Sequence, residues 1–138
     1  MIIKQLAHIC IGAPDLQDAE QFYCQGLGME RGFDFIKEGR VVGFYVKCGA
    51  HTFIEIFEQT EIDSVERPIM QHLCLEVQNI DRAIAEIRAN GLTVTDKKQG
   101  GDHSWQAWMT DPGGVRIEIM QYSADSTQFS GEPCIIDW

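Results

Sequence analysis

A stretch headed by a histidine occurs twice in this chain, and that repeat restricts the fold to one unit used two times. His8-Ile9-Cys10-Ile11 returns 64 positions later as His72-Leu73-Cys74-Leu75, and Asp15, Leu16 and Ala19 answer to Asn79, Ile80 and Ala83. Further on, Thr52-Phe53-Ile54-Glu55-Ile56 has its partner in Val115-Arg116-Ile117-Glu118-Ile119. Each half thus opens with a histidine and closes with a glutamate. The separations are 47 positions from His8 to Glu55 and 46 from His72 to Glu118.

The pattern between these markers predicts the same elements in both halves. Residues 4 to 11 alternate as a strand, ended by Pro14-Asp15. Asp15 is placed to cap a helix through Leu16, Ala19, Phe22, Tyr23 and Leu27, stopped by Gly26 and Gly28. Strands are expected at 30 to 38, 40 to 48 and 51 to 58 as an antiparallel meander. Residues 59 to 68 are polar and acidic and read as a linker. The second half repeats the order: a strand at 70 to 77, a helix capped by Asn79 and closed by Asn90-Gly91, then strands at 92 to 98, 104 to 110 and 115 to 122. The expected fold class is α+β: two tandem βαβββ modules, 1–58 and 69–122, in one domain of 138 residues with a tail from 123 to 138. The apolar end of that tail, Cys134-Ile135-Ile136-Asp137-Trp138, is expected to pack on the body or on a second subunit.

Strand alternation assigns faces to the polar candidates. Ile9 and Ile11, Ile54 and Ile56, Leu73 and Leu75, and Ile117 and Ile119 point away from His8, Glu55, His72 and Glu118. With the helices covering the aliphatic faces, two imidazoles and two carboxylates are expected to converge in a concavity shared by the modules. An ionised carboxylate among apolar strands is costly unless paired or bound to a metal, and a divalent cation relieves both glutamates at once. Arg116 shares the face of Glu118 and is expected either to contact a substrate anion or to pair with an acid at the rim. Trp105 and Trp108 have opposite parity, so one lines the cavity and the other the core, and parity leaves open which. Glu76 reads as solvated, His51 and His103 as turn residues.

Charge and composition exclude several classes. With 21 acidic against 11 basic residues the formal charge is −10, which repels a nucleic-acid backbone and an anionic bilayer surface. No apolar run approaches the ~20 residues of a membrane span, and the first residues lack the pattern of a secretory leader. The cytoplasm is the expected compartment. Five cysteines in no C-x-x-C spacing are expected to be structural thiols, with Cys10 and Cys74 buried in their strands.

Paired βαβββ modules with His and Glu at these places resemble the vicinal oxygen chelate superfamily, the glyoxalase/bleomycin resistance/dioxygenase group. Phe22-Tyr23 followed by Gly26-Leu27-Gly28-Met29 is similar to its helix-ending "FY...LG" stretch, and Asp111-Pro112-Gly113-Gly114-Val115-Arg116-Ile117-Glu118 to its "DPdGn.iEl" signature. The resemblance spans residues 4 to 122 and implies a cupped mixed sheet with helices on its outer face, usually in a homodimer. The quartet His8, Glu55, His72 and Glu118 is similar to the ligand set of short bacterial glyoxalase I, whereas family epimerases usually carry glutamine where Glu55 stands.

That likeness implies a divalent ion, nickel or cobalt over zinc, and isomerisation of a hemithioacetal through an enediolate, with Glu118 the likelier base and Glu55 its pseudo-symmetric partner. Two departures touch the glutathione end of that site. Gly12 stands where the lyases have arginine, and Gln59 where they have asparagine. The alternatives implied are an epimerase or thiol transferase of the same family, or a drug-binding protein without chemistry that uses its tryptophans.

Overall fold

The computed structural model describes residues 1, 4–61 and 70–134. Two compact units emerge. The first gathers the N-terminal half together with the turn Asp111–Val115, and the second gathers Met70–Thr110 and the chain from Arg116 onward.

In the first unit, β1 (His8–Ala13) leads to α1 (Leu16–Glu20), followed by β2 (Arg31–Lys37), β3 (Arg40–Lys47) and β4 (Phe53–Glu58). The sheet order is β1-β4-β3-β2, with β1 parallel to β4 and the rest antiparallel. Asp15 caps α1 as expected: its carboxylate accepts from the amides of Gln17 and Asp18 at 2.7 and 3.1 Å. The helix does not continue in α geometry. It widens into a π-helical turn over Gln21–Gly26, which seats Phe22 and Tyr23 in the core beside Ala19, against buried Ile11, Phe44, Val46, Ile54 and Ile56. Burial of aliphatic and aromatic side chains of this size contributes roughly 1.5–3 kcal/mol each.

The second unit repeats this plan with β5 (Leu73–Glu76), α2 (Ile80–Ala89), β6 (Lys98–Gln99), β7 (Trp105–Thr110) and β8 (Arg116–Gln121), in the order β5-β8-β7-β6. Asn79 Oδ1 accepts from Arg82 N at 2.9 Å, and the Gln121 amide oxygen takes the next free amide, that of Ile80, at 2.7 Å. Gly91, at φ 81°, turns the chain out of α2 in the left-handed conformation that Asn90-Gly91 predicts. Ile80, Ile84 and Ile87 are buried, and α2 packs on β7 and β8. The architecture is α+β with two four-stranded mixed sheets.

Two further expectations change, and the tail gains an element. The strand expected at 92 to 98 shrinks to Lys98–Gln99, because side chains take the ladder groups: Arg88 binds the Val94 carbonyl at 3.0 Å and Thr95 Oγ1 accepts from Trp108 N at 2.9 Å. The tail begins with a short helix, α3 (Thr127–Ser130), fixed by the fully buried pair Ser104 and Ser126, whose hydroxyls lie 2.9 Å apart. Cys10 and Cys74 are exposed rather than buried, since they share the faces of the candidate ligands and not of the core. Most of the expected linker and the last four residues of the tail lie outside the described residues. No helix among those described is long and apolar enough to cross a membrane.

Candidate functional site

Cross-strand register builds a three-residue row in each unit. In the first, Cys10 on β1 and Tyr45 on β3 flank Glu55 on β4. In the second, Cys74 on β5 and Trp108 on β7 flank Glu118 on β8. The histidine stands two residues before the cysteine in both, on the same face.

The structure brings the four predicted ligands together two by two. His8 Nε2 lies 3.6 Å from Glu55 Oε2, and His72 Nε2 lies 3.1 Å from Glu118 Oε2. Donors in cis positions on an ion with bonds of about 2.1 Å lie about 3.0 Å apart, a spacing that the His72–Glu118 pair matches and that the His8–Glu55 pair exceeds. Imidazole nitrogen with carboxylate oxygen is also a donor set for borderline to hard divalent metals. Among the described residues no group of three His, Cys, Asp or Glu side chains is gathered for metal binding.

The two carboxylates differ in their surroundings. Glu55 is half-buried, and Tyr45 OH donates to its Oε1 at 2.7 Å while standing 3.4 Å from His8 Nδ1. Glu118 is buried, and its carboxyl is held above the usual range, first by burial and then by the Asp102 carboxylate, against the pull of His72. Asp102 is itself fixed by Ser104 N at 3.1 Å and Gln128 Nε2 at 2.6 Å. The neighbouring thiols, although their residues are exposed, are pushed up as well, first by partial shielding of the sulfur from water and then by the adjacent carboxylate: Cys10 beside Glu55, and Cys74, to about 12, beside Glu118. Both stay protonated at neutral pH and neither is a ready nucleophile.

Around the first pair the face is aromatic. Tyr45 stacks on Phe33 at 4.5 Å and contacts Phe35 and Phe53 at 5.4 and 5.5 Å. Around the second pair it is mixed. Trp108 meets His72 edge-on at 4.9 Å, its indole N–H donates to Gln106 at 3.0 Å, and the Arg116 guanidinium lies 4.1 Å over its ring. Trp108 is thus the tryptophan of the ligand face. Trp105 turns to the other side, where Lys97 covers it at 4.8 Å, and it does not join the site. Glu76 is exposed, as expected. Tyr45 was not among the sequence candidates. Its signal is the register of the 40–48 and 51–58 hairpin, which sets it opposite Glu55.

The two departures from the lyase pattern are one local feature. The Gln59 side chain lies over Gly12, so that a Cβ at position 12 would collide with it. An arginine at 12 and the present Gln59 conformation exclude each other.

The description of one protein family matches residues 5 to 119. The chain belongs to the Glyoxalase/Bleomycin resistance protein/Dioxygenase superfamily. Among its relatives is the mitochondrial methylmalonyl-CoA epimerase of Bos taurus, 29% identical, with 86% of this chain and 75% of the relative covered. A putative glyoxalase family protein from Bacillus anthracis is 25% identical with a TM-score of 0.74, covering 89% of this chain and 98% of that one. The lactoylglutathione lyase of Agrobacterium tumefaciens shares the fold at 20% identity and a TM-score of 0.66, over 88% and 96% of the two chains. The superfamily includes enzymes, and its members commonly bind divalent metals and small molecules and are often dimers.

Proposed function

We propose that this superfamily member is a divalent-metal-dependent proton-transfer enzyme of the glyoxalase I kind, acting on a hemithioacetal or a related hydroxy-carbonyl compound. The observation that carries the reading is the equivalence of the His8–Glu55 and His72–Glu118 pairs, at 3.6 and 3.1 Å, in the same register of two separate sheets. His8, Glu55, His72 and Glu118 would hold nickel, cobalt or zinc. The ion supplies Lewis acidity, stabilising negative charge on the substrate oxygens.

Glu118, released from ligation, would take the proton from the carbon beside the carbonyl and return it to the neighbouring carbon. In the metal-free protein, burial holds its proton affinity above the usual carboxylate range. Glu55 is the pseudo-equivalent carboxylate, and Tyr45 fixes which of its oxygens faces His8. Trp108 offers a flat wall beside the second pair. We further propose that the protein works as a cytoplasmic homodimer. With the metal-loaded protein, the methylglyoxal–glutathione hemithioacetal should be converted to S-lactoylglutathione, and chelation should abolish turnover. Inactivity of a fully loaded protein would contradict the lyase reading.

The epimerase relatives favour a second reading, in which the same proton transfer inverts a centre next to a thioester carbonyl. Deuterium entering carbon 2 of methylmalonyl-CoA in heavy water, without hemithioacetal turnover, would select it. Altered contacts at Gly12 and Gln59 are compatible with either substrate. Tight binding of an aromatic drug that survives both chelation and the loss of Glu118 would instead indicate a binding protein.

A further inference from the structure

Four of the five described arginines are tied to carboxylates: Arg31 to Glu20 and Asp34, Arg40 to Glu58, Arg82 to Glu86, and Arg88 to Asp96. Arg116 is the exception, with no acidic partner among the described residues. In a chain with 21 acidic and 11 basic residues this is notable, because carboxylates are the more abundant partner. The side chain is nevertheless positioned. Its guanidinium lies 4.1 Å over the Trp108 ring, and that ring in turn meets His72 at 4.9 Å. Stacking holds the plane of the guanidinium, and no described residue accepts from its N–H fork, which is the arrangement for bidentate recognition of a carboxylate. Arg116 is exposed and precedes Glu118 by two positions on one strand, so their Cα atoms are about 6.8 Å apart on the same face.

We infer that Arg116 receives a carboxylate of the substrate, carried within a few bonds of the carbon whose proton Glu118 moves. The assignment of that carbon rests on the proton-transfer reading above; the anion site does not. The acyl portion of the substrate is then itself anionic, which favours the second reading above over the methylglyoxal hemithioacetal, whose charges all lie on glutathione. Trp108 is the wall along which its planar portion lies.

Calorimetric titration of the zinc-loaded protein with mandelate and with mandelamide, its neutral analogue, tests this. The wild type should bind mandelate at least about tenfold more tightly. Arg116→Gln should lower the preference several-fold, leaving only what zinc contributes, Arg116→Lys should keep more of it, and zinc content should match in all three. Raising ionic strength should shrink the wild-type preference. Equal affinities in the wild type, no binding of mandelate, or an undiminished preference in Arg116→Gln would overturn the inference. Failure of the proton-transfer reading would be distinguishable, as a wild type that prefers the anion yet turns over neither the hemithioacetal nor the epimerase substrate.

Discussion

The Tyr23 hydroxyl donates to Asp111 Oδ2 at 2.8 Å, and the other oxygen of that carboxylate accepts from the amides of Gly113 and Val115 at 2.9 and 2.7 Å. The two family markers, Phe22-Tyr23 and Asp111-Pro112-Gly113-Gly114, are therefore parts of one buried hydrogen-bonded unit. Tyr23→Phe should cost about 1–3 kcal/mol, read as a lower urea midpoint, because a buried carboxylate oxygen loses its donor. Burial and then Asp111 push the phenol well above its ordinary 10.0. The unfolded chain ionises there first, so the Tyr23 contribution to stability should be constant below pH 10 and fall above it, and that fall should vanish in Tyr23→Phe.

Glu118 carries a stability penalty in the metal-free protein. Its folded-state proton affinity is raised above the ordinary 4.5, so the charged form is disfavoured by folding. The penalty is absent below pH 4.5 and grows as pH rises through the folded value. Metal-free Glu118→Gln should accordingly be more stable than the wild type at neutral pH, with the difference closing in acid. Thermal midpoints across that range, under chelation, check the sign.

Tyr45→Phe removes the donor that orients Glu55. Loss of such an outer partner typically lowers metal affinity 10- to 100-fold. Competition with a coloured chelator should show a drop of at least about tenfold in Tyr45→Phe, with an unchanged far-ultraviolet spectrum.

The exposed thiols should be unreactive for their accessibility. Cys10 and Cys74 are both raised above the ordinary 9.0, Cys74 to about 12. Iodoacetamide labelling followed by mass spectrometry should modify both more slowly at pH 7.5 than a free cysteine. Replacing Glu118 with Gln should speed labelling at Cys74, because a neighbouring negative charge is gone.

The repeat made the two sheets and the pairing of each histidine with its glutamate legible, because alternation fixes faces and a shared register fixes neighbours. Other features depend on contacts that one strand does not record. Tyr45 required the hairpin register to be set opposite Glu55. The choice between Trp105 and Trp108 required the pairing of β7 with β8. The strand expected at 92 to 98 was lost to Arg88 and Thr95, whose side chains substitute for ladder groups. The cysteines misled because alternation with aliphatics marks a strand but does not say which of its faces is buried. The π-helical turn at Gln21–Gly26 has no periodic signature of its own, since its apolar residues also fit α spacing.

Metal content of the purified protein, set against that of Glu118→Gln, tests the central claim most directly. The account predicts near-stoichiometric nickel, cobalt or zinc in the wild type and a clear fall in the variant. A wild type without metal, taking up none when nickel, cobalt or zinc is added, would contradict it.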